Sequence, residues 1–314
     1  MAERKLIAVT GATGAQGGGL VRAILDDEEG RFAARAVTRN ADSPAAQELA
    51  RRGAEVVEAD LDDRGALARA FDGAWGAYCV TFFWNHFSPD TELAHARNLA
   101  DAAAAAGVRH VIWSTLEDTR RWVPLADPRL PTLMERYKVP HFDAKGEADA
   151  FFDQRGIPTT YLLTSYYWEN LLTNGPRPGD DGVLTLALPM GDARLPGIAA
   201  EDIGRCALGV FRRGDELVGR RVGIAGEHLS GGEMAAALSR ALGRAVRYHA
   251  MPPDTYRSLG FPGAADLGNM FQFKRDFEAD YRAVRDVRFA RSLNPRLQSF
   301  DAWLAANAQR IQTG

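Results

Sequence analysis

The chain has 314 residues, 46% hydrophobic and 25% charged, a composition that suits a globular protein with one large α/β domain and a second lobe. A formal net charge of −3 gives no general pull toward nucleic acid or anionic membrane, and no apolar run approaches the ~20 residues needed to span a bilayer. Cys79 and Cys206 form no CxxC pair and read as small buried hydrophobes. Residues 6–9 are too short for the core of a signal peptide, so a cytoplasmic location is expected.

Short apolar runs at 6–10, 34–38, 55–59, 77–81, 108–114 and 159–164 alternate with helical patterns at 18–26, 44–52, 64–71, 89–106 and 141–155. That alternation predicts a doubly wound parallel sheet of the Rossmann type. Ser43-Pro44 and Ser88-Pro89 place a capping hydroxyl before a first-turn proline, and Gly53, Gly107 and Gly156 stand where helices should stop. Beyond residue 164 the pattern loosens. Residues 175–182 read as a loop, 199–212 as a helix, and 221–225 as an apolar run that rejoins the sheet edge. Ser230 and Glu233 form a capping box that opens a helix to 242, with a short strand near 246–250 and mostly helix thereafter. The expected division is a coenzyme-binding domain over 1–164, rejoined by 195–226, with a smaller, mostly helical C-terminal lobe made of 165–194 and 227–314.

The sequence VTGATGAQG at 9–17 follows a strand and opens a helix, with glycines at Gly11, Gly14 and Gly17. Such a turn lets backbone approach a pyrophosphate, places the phosphates on free helix N–H groups, and packs the helix closely against the strand. Arg39 lies 22 residues beyond Gly17, at the end of the second strand. An acidic residue there would hold a ribose 2′-hydroxyl, whereas arginine accommodates a 2′-phosphate, so NADP(H) is the expected cofactor. Asp60, ending the third strand, is placed to meet adenine or to serve as a plain loop carboxylate.

Short-chain dehydrogenase chemistry uses a tyrosine four residues before a lysine on one helix face. The chain's lysines are Lys5, Lys138, Lys145 and Lys274, and Met134, His141 and Met270 stand four residues before the last three. Tyr-xxx-Lys is therefore absent, and His141 with Lys145 is its nearest equivalent. His141 reads either as a proton donor or as the mark of a site that binds cofactor without turnover. Ser114 and Thr115 end the fifth strand, where a companion hydroxyl would stand. The remaining histidines show no metal-ligand spacing, so no metal is expected. Trp84, Tyr166, Tyr167, Trp168 and Phe271 are candidates to line a pocket or to fill core.

The chain resembles the NmrA-like family, atypical relatives of the short-chain dehydrogenases. The residues that carry the likeness are VTGATGAQGG at 9–18, VTRN at 37–40, GAEVV at 53–57, HFDAKGE at 141–147, ENLL at 169–172 and LGFPGAADLGNMF at 259–271. The resemblance implies a Rossmann domain with a small C-terminal lobe, and a regulatory branch that binds NADP(H) without established turnover and can dimerise. It also implies cofactor contacts at Gly11, Ala12, Thr13, Gly14, Ala15, Gln16, Arg39, Asn40, Asp60, Leu61, Phe82, Phe83, Trp84, Lys145, Tyr167, Trp168, Glu169 and Asn170. Ala41, Asp42 and Ser43 replace basic residues of the family, which leaves 2′-phosphate recognition to Arg39. A longer segment over 118–140 precedes His141 and is expected to shape the pocket or a partner surface. Family members regulate transcription factors, but no helix-turn-helix or basic stripe suggests direct DNA contact.

Two functions follow. The leading reading is an NADP(H)-binding redox sensor, free of tyrosine-dependent catalysis, whose cofactor biases shape, a protein partner or homodimerisation. The alternative is an NADPH-dependent reductase of a quinone, enone or similar acceptor. An isomerase or lyase that uses the cofactor structurally is a third possibility.

Overall fold

Alternating apolar strands and amphipathic helices bury their faces only if a sheet is covered on both sides, and this layered arrangement is what the chain forms. The computed structural model describes residues 4–313. The first half runs β1 (Lys5–Val9), α1 (Ala15–Leu25), β2 (Phe32–Thr38), α2 (Pro44–Arg51), β3 (Glu55–Glu58), α3 (Arg64–Phe71), β4 (Gly76–Cys79), α4 (Pro89–Ala105), β5 (His110–Thr115), α5 (Pro140–Gln154) and β6 (Thr159–Leu163). There follow β7 (Tyr166–Tyr167), α6 (Asn170–Thr173), β8 (Arg177–Pro178), β9 (Leu184–Leu188), β10 (Leu195–Ile198), α7 (Ala200–Arg213), β11 (Arg221–Gly223) and β12 (Glu227–Leu229). The chain closes with α8 (Gly231–Leu242), β13 (Val246–Ala250), α9 (Pro253–Arg257), α10 (Ala264–Asp276), α11 (Glu278–Val284), α12 (Val287–Leu293) and α13 (Phe300–Asn307).

Seven strands make one parallel sheet in the order β11-β6-β5-β4-β1-β2-β3. This is the Rossmann-type architecture expected from the sequence. The order reverses between β1 and β4, and in such sheets the crevice at the strands' carboxyl ends takes ligands. Ile7, Val9, Leu20, Ile203, Val210 and Phe211 fill one face beneath α1 and α7. Leu67, Phe71, Leu99, Trp113 and Phe152 fill the other beneath α3, α4 and α5. Ser43 and Ser88 accept from the N–H groups of Ala46 and Thr91, and Ser230 with Glu233 completes its capping box, so these helix starts were legible in sequence.

α1 begins at Ala15, three residues before the predicted start, and absorbs Gly17, Gly18 and Gly19. Glycine costs a helix about 1 kcal/mol per residue, so local propensity argues against those residues being helical. Packing overrides it: a Cβ built on Gly204 of α7 would lie 2.1 Å from the Gly19 backbone, so only glycine lets these helices meet.

Beyond β6 two small three-stranded sheets form, β12-β10-β7 and β13-β9-β8. They share a core with the C-terminal helices that includes Trp168, Leu186, Leu238, Phe300 and Trp303. Within 195–226, α7 packs on α1 and β11 pairs with β6, whereas β10 joins the small sheet. The segment expected as a loop at 175–182 contains β8, a two-residue strand. Among the described residues no helix is long and apolar enough to cross a membrane.

Candidate functional site

The glycine turn connects β1 to α1 at the point where the strand order reverses. Gly11 holds φ +61°, the left-handed region that glycine enters without strain. A Cβ on Gly17 would lie 2.5 Å from the carbonyl oxygens of Thr10 and Gly11, so Gly17 is the contact that presses helix onto strand. Gly14 spends its N–H on the Gly11 carbonyl at 2.9 Å. The first-turn N–H groups of Ala15, Gln16 and Gly17 have no partner within their helix, and with the dipole they form an anion-binding end. Gly11, Thr13, Gly14 and Ala15 are exposed there, while Ala12 is buried.

Gln16 faces inward. Its Oε1 accepts from Ser114 Oγ at 2.7 Å and from the Tyr78 hydroxyl, and its Nε2 donates to the Tyr167 hydroxyl. One side chain thus ties α1 to β4, β5 and β7. Ser114 is engaged in this way, and Thr115 donates to Asp149 Oδ1 at 2.6 Å, so both strand-end hydroxyls are held by protein groups. Burial pushes the Tyr78 and Tyr167 phenols above their ordinary range, which keeps both protonated at neutral pH.

Arg39 and Asn40 lie exposed past the end of β2, and Arg39 makes no ion pair among the described residues. Asn40 Oδ1 accepts from the Asp42 N–H at 2.9 Å, and Asp60 Oδ1 from the Asp62 N–H at 3.0 Å. Glu58 Oε2 accepts from the Ala41 N–H at 3.2 Å, so one carboxylate lies beside this loop. Leu61 is half-buried next to Asp60.

The HFDAKGE segment forms the first half of α5, and nearly every side chain in it has an assignment. His141 Nδ1 lies 2.7 Å from Asp266 Oδ1 of α10, and its backbone N–H donates to Asp266 Oδ2 at 3.2 Å. Its ring lies between Trp84, at 4.7 Å between centroids, and Phe142, at 4.8 Å. Asp143 accepts from Thr119, Lys138 and Val139, which pins the 118–140 excursion back onto its own helix. A Cβ on Gly146 would lie 2.6 Å from the Asp118 nitrogen, so glycine lets that excursion pass.

Lys145, one turn beyond His141, points its ammonium at Thr81 Oγ1 and the Thr81 carbonyl and lies 2.7 Å from Glu92 Oε1. All three of its donors are therefore occupied. Burial raises the Glu92 carboxyl, but the Lys145 charge and its hydrogen bonds more than reverse this and hold it at about 2. Among the described residues Glu92 Oε2, His86 Nε2 and His95 Nδ1 make no hydrogen bond, although His86 Nε2 stands 3.5 Å from Glu92 Oε2. Sequence reasoning missed Glu92, Thr81, Tyr78 and Asp266. Only Asp266 lay inside a singled-out motif.

Phe82 is 58% exposed, Trp84 half-buried and Phe83 buried in the turn after β4. Trp168 is different: it packs on Phe300 and Trp303 inside the second lobe. Glu169 accepts from the Ala200 N–H at 2.8 Å and from Trp303 Nε1 at 2.9 Å, while Asn170 is exposed. Tyr166 and Phe271 pack together at 6.3 Å between centroids. Among the described residues no group of three or more His, Cys, Asp or Glu side chains is arranged to hold a metal.

Comparison with known proteins agrees with this geometry. The chain is 29% identical over 304 residues to the NmrA-like family domain-containing oxidoreductase FrzB of Cladobotryum sp, covering 88% of this chain and 86% of that protein. It is 27% identical over 345 residues to the oxidoreductase ptmS of Penicillium ochrochloron, covering 96% and 97%. A crystal structure of NmrA, described as a negative transcriptional regulator, in complex with NADP matches with a TM-score of 0.78 at 25% identity, over 96% of this chain and 94% of that one. The NmrA-like family model matches residues 3–304. With the glycine turn, the α5 segment and the α10 segment in their places along this length, the chain belongs to the NmrA-like family.

Proposed function

We propose that the chain is an NADP(H)-dependent oxidoreductase that delivers hydride to a quinone, enone or similar acceptor. NmrA was solved with NADP bound, and in this chain the proposed cofactor sets its pyrophosphate on the free amides of α1 and its 2′-phosphate beside Arg39. The observation that carries the reading is His141: it occupies the tyrosine position one helical turn before Lys145, beneath Phe83 and Trp84 at the rim of the crevice. An imidazole there is suited to donate a proton as hydride arrives. The coenzyme-binding unit comprises 1–164 with α7 and β11, and the acceptor enters between it and the C-terminal lobe. Cys79 and Cys206 are free and buried, which suits a reducing cytoplasm.

A second reading, an NADP(H)-binding sensor with a protein partner or a homodimer, is favoured by Lys145. Its donors are committed to Thr81 and Glu92, leaving none for a nicotinamide ribose unless that network opens. NADPH oxidation with menadione and with cyclohexenone separates the two readings. Turnover with either supports the reductase. Calorimetric binding of NADPH with no oxidation of it supports the sensor. The sensor further requires NADPH and NADP⁺ to give different sedimentation or scattering profiles, because a ligand shifts an equilibrium only through differential affinity.

A further inference from the structure

Two segments singled out in sequence, HFDAKGE and LGFPGAADLGNMF, meet in space through one contact. Asp266, in the first turn of α10, holds His141 twice: one carboxylate oxygen lies 2.7 Å from Nδ1, and the other accepts the His141 backbone N–H at 3.2 Å. That N–H belongs to the first turn of α5, where the helix itself offers no acceptor. Asp266 and His141 are both buried, at 6% exposure each, and the imidazole is walled by Phe83, Trp84 and Phe142.

We propose that Asp266 is the positioning residue for His141, making this His–Asp pair the proton-delivery group of the reductase in place of tyrosine. The proposal rests on the reductase reading above. An ionised carboxylate can only accept, so the hydrogen between it and the ring sits on Nδ1. With Nδ1 turned to Asp266, the ring has Nε2 left to face an acceptor, and among the described residues no protein group is hydrogen-bonded to Nε2. As NADPH passes hydride to the acceptor carbon, the Nε2 proton moves to the acceptor oxygen. In sum the acceptor would gain two electrons and two hydrogens, one as hydride at carbon from the bound NADPH, which would leave as NADP⁺, and one as a proton at oxygen from His141 Nε2, with the Nδ1 hydrogen kept on the ring. Bulk water reprotonates Nε2 before the next turnover. The second hold on the backbone N–H sets the ring's position at the start of α5, so that Nε2 and the Lys145 ammonium lie along one face of the helix. Lys145 is not assigned as the donor, because its ammonium is held by hydrogen bonds to Thr81 and an ion pair with Glu92.

The test uses full-length protein in two measurements. In the first, menadione and cyclohexenone reduction are followed for wild type, Asp266→Asn, Asp266→Glu and His141→Gln, with NADPH affinity measured alongside. The expected result is kcat lowered roughly 100-fold in His141→Gln, as removal of a general acid gives. Asp266→Asn should lose at least about tenfold, its solvent deuterium isotope effect should rise, and KM for NADPH should hold, because the damage is to proton transfer alone. Asp266→Glu should recover part of the rate. In the second, nitrogen-detected NMR of wild type reads which ring nitrogen of His141 carries hydrogen. Nδ1–H is expected, with both tautomers appearing in Asp266→Asn. Turnover retained in Asp266→Asn and His141→Gln overturns the pair but leaves the reductase standing. An unprotonated Nδ1 in wild type overturns it whatever the turnover, and a wild type that oxidises no NADPH overturns pair and reductase together.

Discussion

Arg39 carries a residue-scale prediction of the proposed NADP(H) site. It follows the last residue of β2 and is exposed, with no ion pair among the described residues. Glu58 accepts from the Ala41 N–H in the same loop, so the proposal leaves 2′-phosphate recognition to the Arg39 guanidinium. Arg39→Ala should weaken NADPH by roughly tenfold or more, the usual worth of a charge-assisted contact, and leave NADH nearly unchanged. Calorimetric titration of both cofactors checks this, and equal losses would remove Arg39 from that role. Lys145 and Glu92 carry the other residue-scale expectation. Glu92 is fully buried, and Glu92→Gln would leave the Lys145 ammonium without its counter-charge. Breaking a buried pair from one side costs about 3–5 kcal/mol. Urea denaturation should show that loss in Glu92→Gln, and Lys145→Met in the same chain should recover much of it.

At the scale of elements, α1 is the most constrained helix in the molecule. It is bound below by Gly17 against β1 and on its flank by Gly19 against Gly204. Gly17→Val would push its Cβ into two carbonyl oxygens 2.5 Å away, and backbone cannot yield as a side-chain end can. The variant should lose stabilisation by NADPH and several degrees of melting temperature together, since overpacking a close contact costs about 1–3 kcal/mol. A thermal-shift series with and without NADPH reads both effects. If Gly17→Val keeps the wild-type shift, the helix is not pressed as described. α5 and α10 form the second important pair, because α10 brings Asp266 to His141 and Asn269 to the carbonyls of Pro131 and Lys138. The long 118–140 excursion is thus pinned from both helices.

Across the whole molecule, the C-terminal lobe carries a buried charge cluster that sets a pH dependence. Lys274 is enclosed by Phe142, Phe271 and Tyr281, and among the described residues its only hydrogen-bond acceptor is Met270 Sδ, at 3.3 Å. Burial pushes its ammonium down to about 7, with added repulsion from Arg285, which itself is paired with Glu117. An unfolded lysine titrates near 10.5. Between those values the unfolded chain binds more protons than the folded one, so stability rises with pH across that window and is lost as pH falls toward 7. The span corresponds to about 5 kcal/mol as an upper bound. Lys274→Met keeps the volume and removes the titration. It should raise the melting temperature at pH 7 and flatten the rise toward pH 10, which calorimetry at several pH values measures directly. A variant less stable than wild type at neutral pH would show that the ammonium has a favourable partner.

Much of this protein was legible before any coordinates. The glycine turn, the capping serines, the helix-stopping glycines and the strand-helix alternation are local patterns, governed by backbone sterics, N–H satisfaction and side-chain periodicity, and all act within a few residues. They were enough for the Rossmann sheet and for the glycine turn that joins β1 to α1. The strand Leu184–Leu188, which alternates buried and half-buried residues, was not read from the sequence, and β7, β8, β10 and β12 have only two to four residues and carry too little pattern. What tertiary structure alone decided are the long-range pairings. His141 with Asp266, Lys145 with Glu92 and Gln16 with Tyr78, Ser114 and Tyr167 join residues 53 to 151 positions apart. A charge or hydroxyl buried in a core must find a partner, but its sequence neighbourhood does not say which. That choice depends on which strand ends and helix faces the fold brings together.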